Sequence, residues 1–484
     1  MKLERSNMDL NRRSFLLGSG VIAGTSLAAT LGINGLFNPA LAAAPQLIEP
    51  KRITAKNGVL NLDLEASELL VPYNGGKRWA LAYNKSVPAP TMVAAPGDTL
   101  NIKFTNSTSL PTNLHTHGLH VSPAKNSDNP LIKIMPGESF AYSIKIPKNH
   151  TSGTFWYHPH HHGTTAQQLA GGLAGAIIIE DKIDDQLAFT DSTDRVLMFA
   201  DPKIGNNSNV LNTSMMDQMH GRFGPNVLIN GLLNPQIPSI TSQTERWRLI
   251  NACPSRYLNL RVENADLLVI STDGGRLNSA TQVSSVTMTP GERYEVVLIP
   301  TKAGRHRIYD KGKVIGEVTG TVTSTNFMSK AALGSVPKLT AKKVRTIKIL
   351  GSGMMAMGGG MGGGMGGGMG GNNSNAHEMS YSFDGSPFDP SVINQQVKLG
   401  AIEDWVIENR TTMHHPFHIH GWEFQVIDRG DGRPVAGWKD TLNVPANRSV
   451  RIRINFADFG GTSVYHCHIL DHEDAGMMGV FRVG

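Results

Sequence analysis

The chain has 484 residues, a net charge of +6, 40% hydrophobic and 17% charged residues, 52 Gly, 26 Pro and only two cysteines. The length predicts about three domains. The apolar content excludes a disordered chain, and two cysteines exclude a disulfide scaffold. The Lys and Arg residues form no dense run and no aromatic-interleaved stripe, so the positive charge does not mark a nucleic-acid partner.

In chain order, the first feature is Asn11-Arg12-Arg13-Ser14-Phe15-Leu16-Leu17, a twin-arginine pattern followed by a mildly apolar stretch to about Ile33. Small residues at Ala40-Leu41-Ala42 suit cleavage before Ala43. Residues 1–42 are therefore expected to be a signal peptide read by the twin-arginine export machinery, leaving a periplasmic chain of charge +4 with no stable membrane insertion. A retained membrane anchor is the alternative reading of this segment.

Beyond it, one unit recurs three times. TLNIKFTN (99–106), TERWRLIN (244–251) and IEDWVIEN (402–409) each alternate in polarity and end in Asn. Nine residues after each Asn stand His115, Leu260 and His418. A second echo follows as PGESFAYSIKIP (136–147), PGERYEVVLIP (290–300) and PANRSVRIRINF (445–456), each a turn followed by an alternating strand. The next strands are GTFWYHPH (153–160), GRHRIYD (304–310) and GTSVYHCH (461–468). Short strands, frequent turns and no long amphipathic helix predict an all-β protein of three consecutive Greek-key sandwiches. The expected boundaries are 43–185, 186–345 and 375–484, with a Met/Gly-rich flexible segment at 346–374. Leu258, Leu260 and Val262 give the middle unit an apolar strand face with no metal ligand, so it is expected to be a spacer or packing domain.

The histidines carry the chemistry. Residues two apart on a strand share a face, and 18 histidines distributed at random would give only about 0.7 His-x-His pairs. The chain has His115/His117, His158/His160, His418/His420 and His466/His468, at repeat-matched positions. Eight imidazoles without a carboxylate pair suit copper better than calcium or magnesium, and structural zinc usually takes four ligands. A second set is denser. In HCHILDHEDAGMM (466–478), Cys467 points away from His466 and His468, His472 follows five residues later and Met477 five after that. With His415, these residues make the two-His, one-Cys and axial-Met set of a blue-copper electron-transfer site. Adjacency of Cys467 to His466 and His468 supplies a covalent electron path between the two sites. Cys253, in the middle unit, is expected to be a free buried thiol.

HTHG (115–118), WYHPHHHG (156–163), HPFHIHG (415–421) and HCHILDHEDAGMM (466–478) together resemble the four copper motifs of three-domain multicopper oxidases, over essentially the whole mature chain. The resemblance implies cupredoxin-like domains and four copper ions. The type 1 copper would take His415, Cys467, His472 and Met477. The type 2 copper would take His115 and His418, and the paired type 3 coppers His117, His158, His160, His420, His466 and His468. It also implies a reaction in which a reductant yields single electrons and dioxygen is reduced to water. Glu473 and Asp128 match acidic proton-relay positions, and are the candidate catalytic carboxylates. Asp440 is either an outer partner orienting a ligand imidazole or a turn-capping Asp. His120, His161, His162 and His414 receive no role.

The reductant is suggested by MMAMGGGMGGGMGGGMGG (354–371), which Gly makes a poor helix and a mobile presenter of soft thioethers suited to Cu(I). Its place at the start of the third unit is similar to Met-rich segments of bacterial periplasmic copper-resistance (CueO-like) oxidases. Cu(I) is therefore the expected substrate, alongside phenols in laccase-like fashion, in copper tolerance by a monomer. Met413, Met354, Met355 and Met357 are the candidate ligands of an additional labile substrate copper. One departure is Thr411, where those enzymes carry Asp. The alternatives are a laccase acting mainly on organic phenols and amines, an oxidase of Fe(II) or Mn(II), or a non-enzymatic division-associated or copper-storing relative. The last typically lacks the Cys and several His found here. Copper nitrite reductases share the domain type but lack two of the four His-x-His pairs.

Overall fold

The computed structural model describes residues 44–484 except 188, 190–192, 207, 211, 239–244, 321–332, 352–380, 433–434 and 436. The signal segment and the Met/Gly run, with Met354, Met355 and Met357, lie outside the described residues. Among the described residues no helix is long and apolar enough to cross a membrane.

Among the described residues the strands organise into six sheets, two for each repeat. In the first unit, the sheet ordered Arg52–Thr54, Thr91–Ala94, Gly175–Ile179, Gly153–His158, His115–His117 faces a second sheet built on Val59–Tyr73 and Thr99–Asn106. Alternation along Thr99–Asn106 buries Leu100, Ile102, Phe104 and Asn106, so period-two patterning becomes one wall of the core. The middle unit packs a six-stranded sheet on a five-stranded one, and the third packs two of five. Each pair encloses its own apolar cluster. The fold is three consecutive cupredoxin-like β-sandwiches, as the sequence predicts. Among the described residues four short helices decorate them: Thr165–Gly171 (α1), Lys182–Leu187 (α2), Met215–His220 (α3) and Leu470–Asp474 (α4).

Two boundaries differ from the sequence reading. The sequence pattern puts 343–345 in the middle unit and 346–351 in the flexible segment, but Lys343–Gly351 is one strand pairing in parallel with Ile402–Asn409 of the third sandwich. Its alternating Ile347 and Ile349 are buried in the third core, which fixes the strand there. At the other end, Leu47 lies in the middle core and its N–H donates to the Gln236 carbonyl at 2.7 Å. The segment ahead of the first sandwich is therefore anchored on the second.

Register places the site. His115 pairs opposite His158 on antiparallel neighbours, and His418 opposite His466 in the third unit. The middle unit keeps the same pairing with Leu260 opposite Asp310. Directly paired residues project from one face, so repeat-matched registers bring two histidine pairs together in each outer sandwich. Only His115/His117 lies wholly within a strand. His160, His420 and His468 stand just past strand ends, where the chain is free to turn their rings away from their partners.

A further apolar cluster joins all three units, with Trp156 and Ile178 from the first, Met198 and Ile250 from the middle, and Leu470 of α4 from the third. It fixes the outer sandwiches against each other.

Candidate metal centres

Eight imidazoles meet where the first and third sandwiches touch: His115, His117, His158, His160, His418, His420, His466 and His468, all at most 1% exposed. The ring nitrogens of His160, His420 and His466 lie within 4.8 Å of one another, as do those of His115, His117 and His158, and of His115, His418 and His420. The His468 ring lies 5.1 Å from that of His117 and 5.7 Å from that of His158. The groups overlap: His115 belongs to two of them, its ring stacks on that of His420 at 3.7 Å, and the His117 ring stacks on that of His418 at 3.8 Å.

The outward nitrogens decide which atom faces the centre. His158 Nδ1 donates to the Pro159 carbonyl at 2.8 Å, His418 Nδ1 to the Asp440 carbonyl at 3.0 Å and His466 Nδ1 to the Cys467 carbonyl at 3.1 Å. A carbonyl only accepts, so these rings carry hydrogen on Nδ1 and a lone pair on Nε2. Both Asp128 oxygens stand 3.0 Å from His115 Nδ1, with the same effect. His117 is reversed. Its Nε2 faces Asp440 Oδ1 at 3.2 Å, and its Nδ1 faces inward, 3.4 Å from His158 Nε2. Nitrogens of His115, His418, His420 and His468 are buried with no hydrogen-bond partner. Burial, followed by mutual repulsion, holds His115, His158, His420 and His468 well below the usual imidazole range, so they are neutral lone-pair donors. Unpaired, neutral and convergent nitrogens are the donor set of a metal cluster.

Glu473 of α4 is fully buried beside this cluster, with Oε2 3.1 Å from His466 Nδ1 and Oε1 3.5 Å from His160 Nε2. Burial raises its carboxyl above the usual carboxylate range. Burial also raises Asp128, to about 7, although the Thr116 N–H holds its ionised form.

The second centre lies inside the core of the third sandwich. Cys467 Sγ stands 3.5 Å from His415 Nδ1 and 3.7 Å from His472 Nδ1. Thr411 Oγ1 engages His415 Nε2 at 2.9 Å and turns Nδ1 toward the sulfur. Ile469 N–H donates to Sγ at 3.4 Å. Met477 is fully buried in the same core, and its carbonyl accepts the Cys467 N–H at 3.1 Å. Burial pulls His472 down to about 3 and pushes the Cys467 thiol up, so metal binding here must release the thiol proton. Cys253 is a free buried thiol.

Three features escaped sequence reasoning. The Tyr381 ring covers both imidazoles of the second centre, 4.7 Å from His415 and 4.6 Å from His472, and its hydroxyl donates to Met413 Sδ at 3.0 Å. Helix α3, from the middle unit, packs on α4 through Arg222, whose guanidinium is paired with buried Asp471 at 2.7 Å. It presents Met215 and Met216 at 64% and 62% exposure, with Met219 and His220 beside them. The Met215-Met216-x-x-Met219-His220 pattern was readable as a soft-ligand group; its packing on α4, the helix that carries His472, was not. The third feature is Arg293, a middle-unit residue in contact with Asp440. Asp440 itself proves to be an orienting partner of ligand-type imidazoles. His120 links the first and third sandwiches, with Nδ1 donating to the Gly421 carbonyl at 2.7 Å and Nε2 3.0 Å from Asp458. His161, His162 and His414 stay at the periphery, half-buried to exposed.

Three family profiles described as multicopper oxidase match residues 66–184, 201–327 and 368–484. The chain is 31% identical over 449 residues to a multicopper oxidase of Staphylococcus epidermidis, covering 91% of each. It is 25% identical over 475 residues to a laccase of Bacillus subtilis, covering 82% of this chain and 88% of that one. A solved multicopper oxidase from Campylobacter jejuni, described as a metallo-oxidase, superposes with a TM-score of 0.78 at 30% identity, over 91% of this chain and 96% of that one.

Proposed function

The chain belongs to the multicopper oxidases, enzymes that oxidise a reductant with dioxygen, and on that premise we propose that its reductant is Cu(I), in periplasmic copper tolerance. His415, Cys467, His472 and Met477 would hold a type 1 copper. His115 and His418 would hold the type 2 copper, and His117/His158/His468 with His160/His420/His466 the type 3 pair. The bound coppers supply one-electron acceptance at the first centre and dioxygen reduction at the second. Cys467 connects the centres through its peptide bonds to His466 and His468. Glu473 stands within reach of His466 and His160, placed to relay protons, and Asp128 fixes the His115 tautomer.

The observation that carries the Cu(I) reading is Met413, whose Sδ accepts from the hydroxyl of Tyr381, the ring against both His415 and His472. Helix α3, packed on α4, brings the Met219 carbonyl to the same hydroxyl and carries the exposed Met215 and Met216. Thioethers are soft ligands that favour Cu(I). Met354, Met355 and Met357 belong to a segment that adjoins this face in sequence. The laccase reading draws support from Thr411, whose hydroxyl is occupied by His415 and offers a substrate metal no carboxylate.

Steady-state dioxygen uptake separates the readings, with Cu(I) and with a phenol, for wild type, a 354–371 deletion and a Met215→Leu/Met216→Leu/Met219→Leu variant. The Cu(I) reading predicts a raised KM for Cu(I) in both altered proteins, with phenol turnover retained. Unchanged Cu(I) kinetics in both would leave the laccase reading standing.

A further inference from the structure

The middle sandwich has Leu260 where the outer two carry His115 and His418, yet its Arg293 reaches the histidine cluster through Asp440. This guanidinium is fully buried and uses all five N–H donors. Nε donates to the Thr154 carbonyl of the first sandwich at 3.2 Å. Nη1 donates to the Gly291 carbonyl at 3.1 Å, and Nη2 to the Asp273 carbonyl at 2.9 Å, both within the middle sandwich. The two remaining donors form a fork on Asp440 of the third sandwich, with Nη1 2.8 Å from Oδ1 and Nη2 on Oδ2. Asp440 Oδ1 in turn stands 3.2 Å from His117 Nε2 and 3.4 Å from His418 Nδ1. Thr441 Oγ1 also donates to it at 2.8 Å.

We propose that Arg293 is a positioning residue for the type 2 and type 3 coppers, so that the copper-free middle domain governs how firmly the cluster holds its metal. It acts only through Asp440. The fork fixes the carboxylate plane, and a fixed acceptor holds the hydrogen of His117 on Nε2 and its lone pair on Nδ1. Without that acceptor His117 Nε2 keeps only the Thr441 hydroxyl, at 3.3 Å, and the opposite tautomer, which presents N–H to the metal, becomes accessible. Arg suits this role because its rigid planar fork matches a carboxylate and stays charged when buried.

Two neighbouring glycines fit the same device. Gly118, in the HTHG motif, lies against Arg293 and Asp440 at φ +87°; a Cβ there would overlap the guanidinium and stand 2.7 Å from Asp440 Oδ2. At Gly291, φ +88°, a Cβ would stand 2.9 Å from the His468 ring. The middle domain therefore touches the cluster at both Asp440 and His468. This inference rests on the copper assignment, which fails separately if wild-type protein purified with copper binds none.

The test is Arg293→Gln in copper-loaded protein, read by competitive chelator titration, the type 2 electron paramagnetic resonance spectrum and type 1 blue absorbance. Removing an outer partner of a ligand His weakens metal binding about 10–100-fold. The expected result is that loss at the type 2 position, with an altered type 2 spectrum and the blue absorbance retained as proof of fold. Arg293→Lys, which keeps charge but not the fork, should fall between. A wild-type titration and type 2 spectrum in Arg293→Gln overturn the proposal. If that variant does not fold, Asp440→Asn decides, since it keeps the volume and loses the charge. The same weakening supports the proposal and wild-type behaviour overturns it.

Discussion

A buried carboxyl next to a metal-type histidine invites a direct measurement. Glu473 has no exposed surface, and burial keeps its carboxyl raised and able to carry a proton. Glu473→Gln keeps the shape and removes the proton. General acid–base groups contribute roughly 10²–10⁴-fold, so dioxygen reduction should slow by about that factor. Anaerobic bleaching of the blue copper by reductant should stay at the wild-type rate, because Glu473 is not between substrate and the Cys467 centre. A stopped-flow record in which both half-reactions slow together would remove Glu473 from the proton path. At this scale most of the ligands were legible, because His-x-His and Cys467 with His472 recur at fixed spacing. Asp128 was legible only as an acidic group after HTHG. Its contact with His115 spans 13 residues of irregular chain and depends on how that loop closes.

The short helices are held by charges and not by their own length. α1 has no side-chain cap of its own; Asp474 at the end of α4 accepts N–H groups from Gly163, Thr165 and Ala166 at 2.8, 3.1 and 2.8 Å. α3 and α4 are joined by Arg222 and Asp471, both at most 1% exposed. Removing one partner of a buried ion pair costs about 3–5 kcal/mol, since it strands the other charge. Arg222→Ala should destabilise the apoprotein by that order in denaturant titration, and the blue colour should be lost at lower temperature because α4 carries His472. A midpoint within error of wild type would show that Asp471 finds another partner. The α3 residues were readable as letters, but a six-residue helix has too few turns for periodicity to place it.

Across the whole molecule, the outer sandwiches meet at His120 and Asp458. Burial disfavours the His120 imidazolium, but the Asp458 hydrogen bond and charge outweigh it and raise the pKa above 6.5. Asp458 is correspondingly lowered by His120. A raised histidine stabilises fully below its unfolded value near 6.5 and loses that contribution as pH rises through its folded value. For Asp458 the loss comes on the acid side, as pH falls through its lowered value. The difference in melting temperature between wild type and Asp458→Asn should therefore be greatest between those limits and vanish toward alkaline pH. With Asp458 about a third exposed, the pair is worth on the order of 1 kcal/mol or less. A difference that persists unchanged at alkaline pH would exclude the ion pair as its cause.

The sequence by itself determined that this is a three-unit β protein with two metal-type residue sets. Alternation, turn spacing and His-x-His are local patterns repeated along one chain, and local patterns survive without the fold. The tertiary structure alone decided how the rings group in space. His158 and His160 are two residues apart yet serve different groups, because one ends a strand and the other lies beyond it. It also decided the role of the middle unit. Leu260 stands at the position of His115 and His418, but nothing in the repeat marks Arg293, whose counterparts Ser139 and Arg448 bond only within their own sandwiches. Its contact with Asp440 bridges 147 residues, a distance at which only packing of all three domains can bring a guanidinium to a carboxylate.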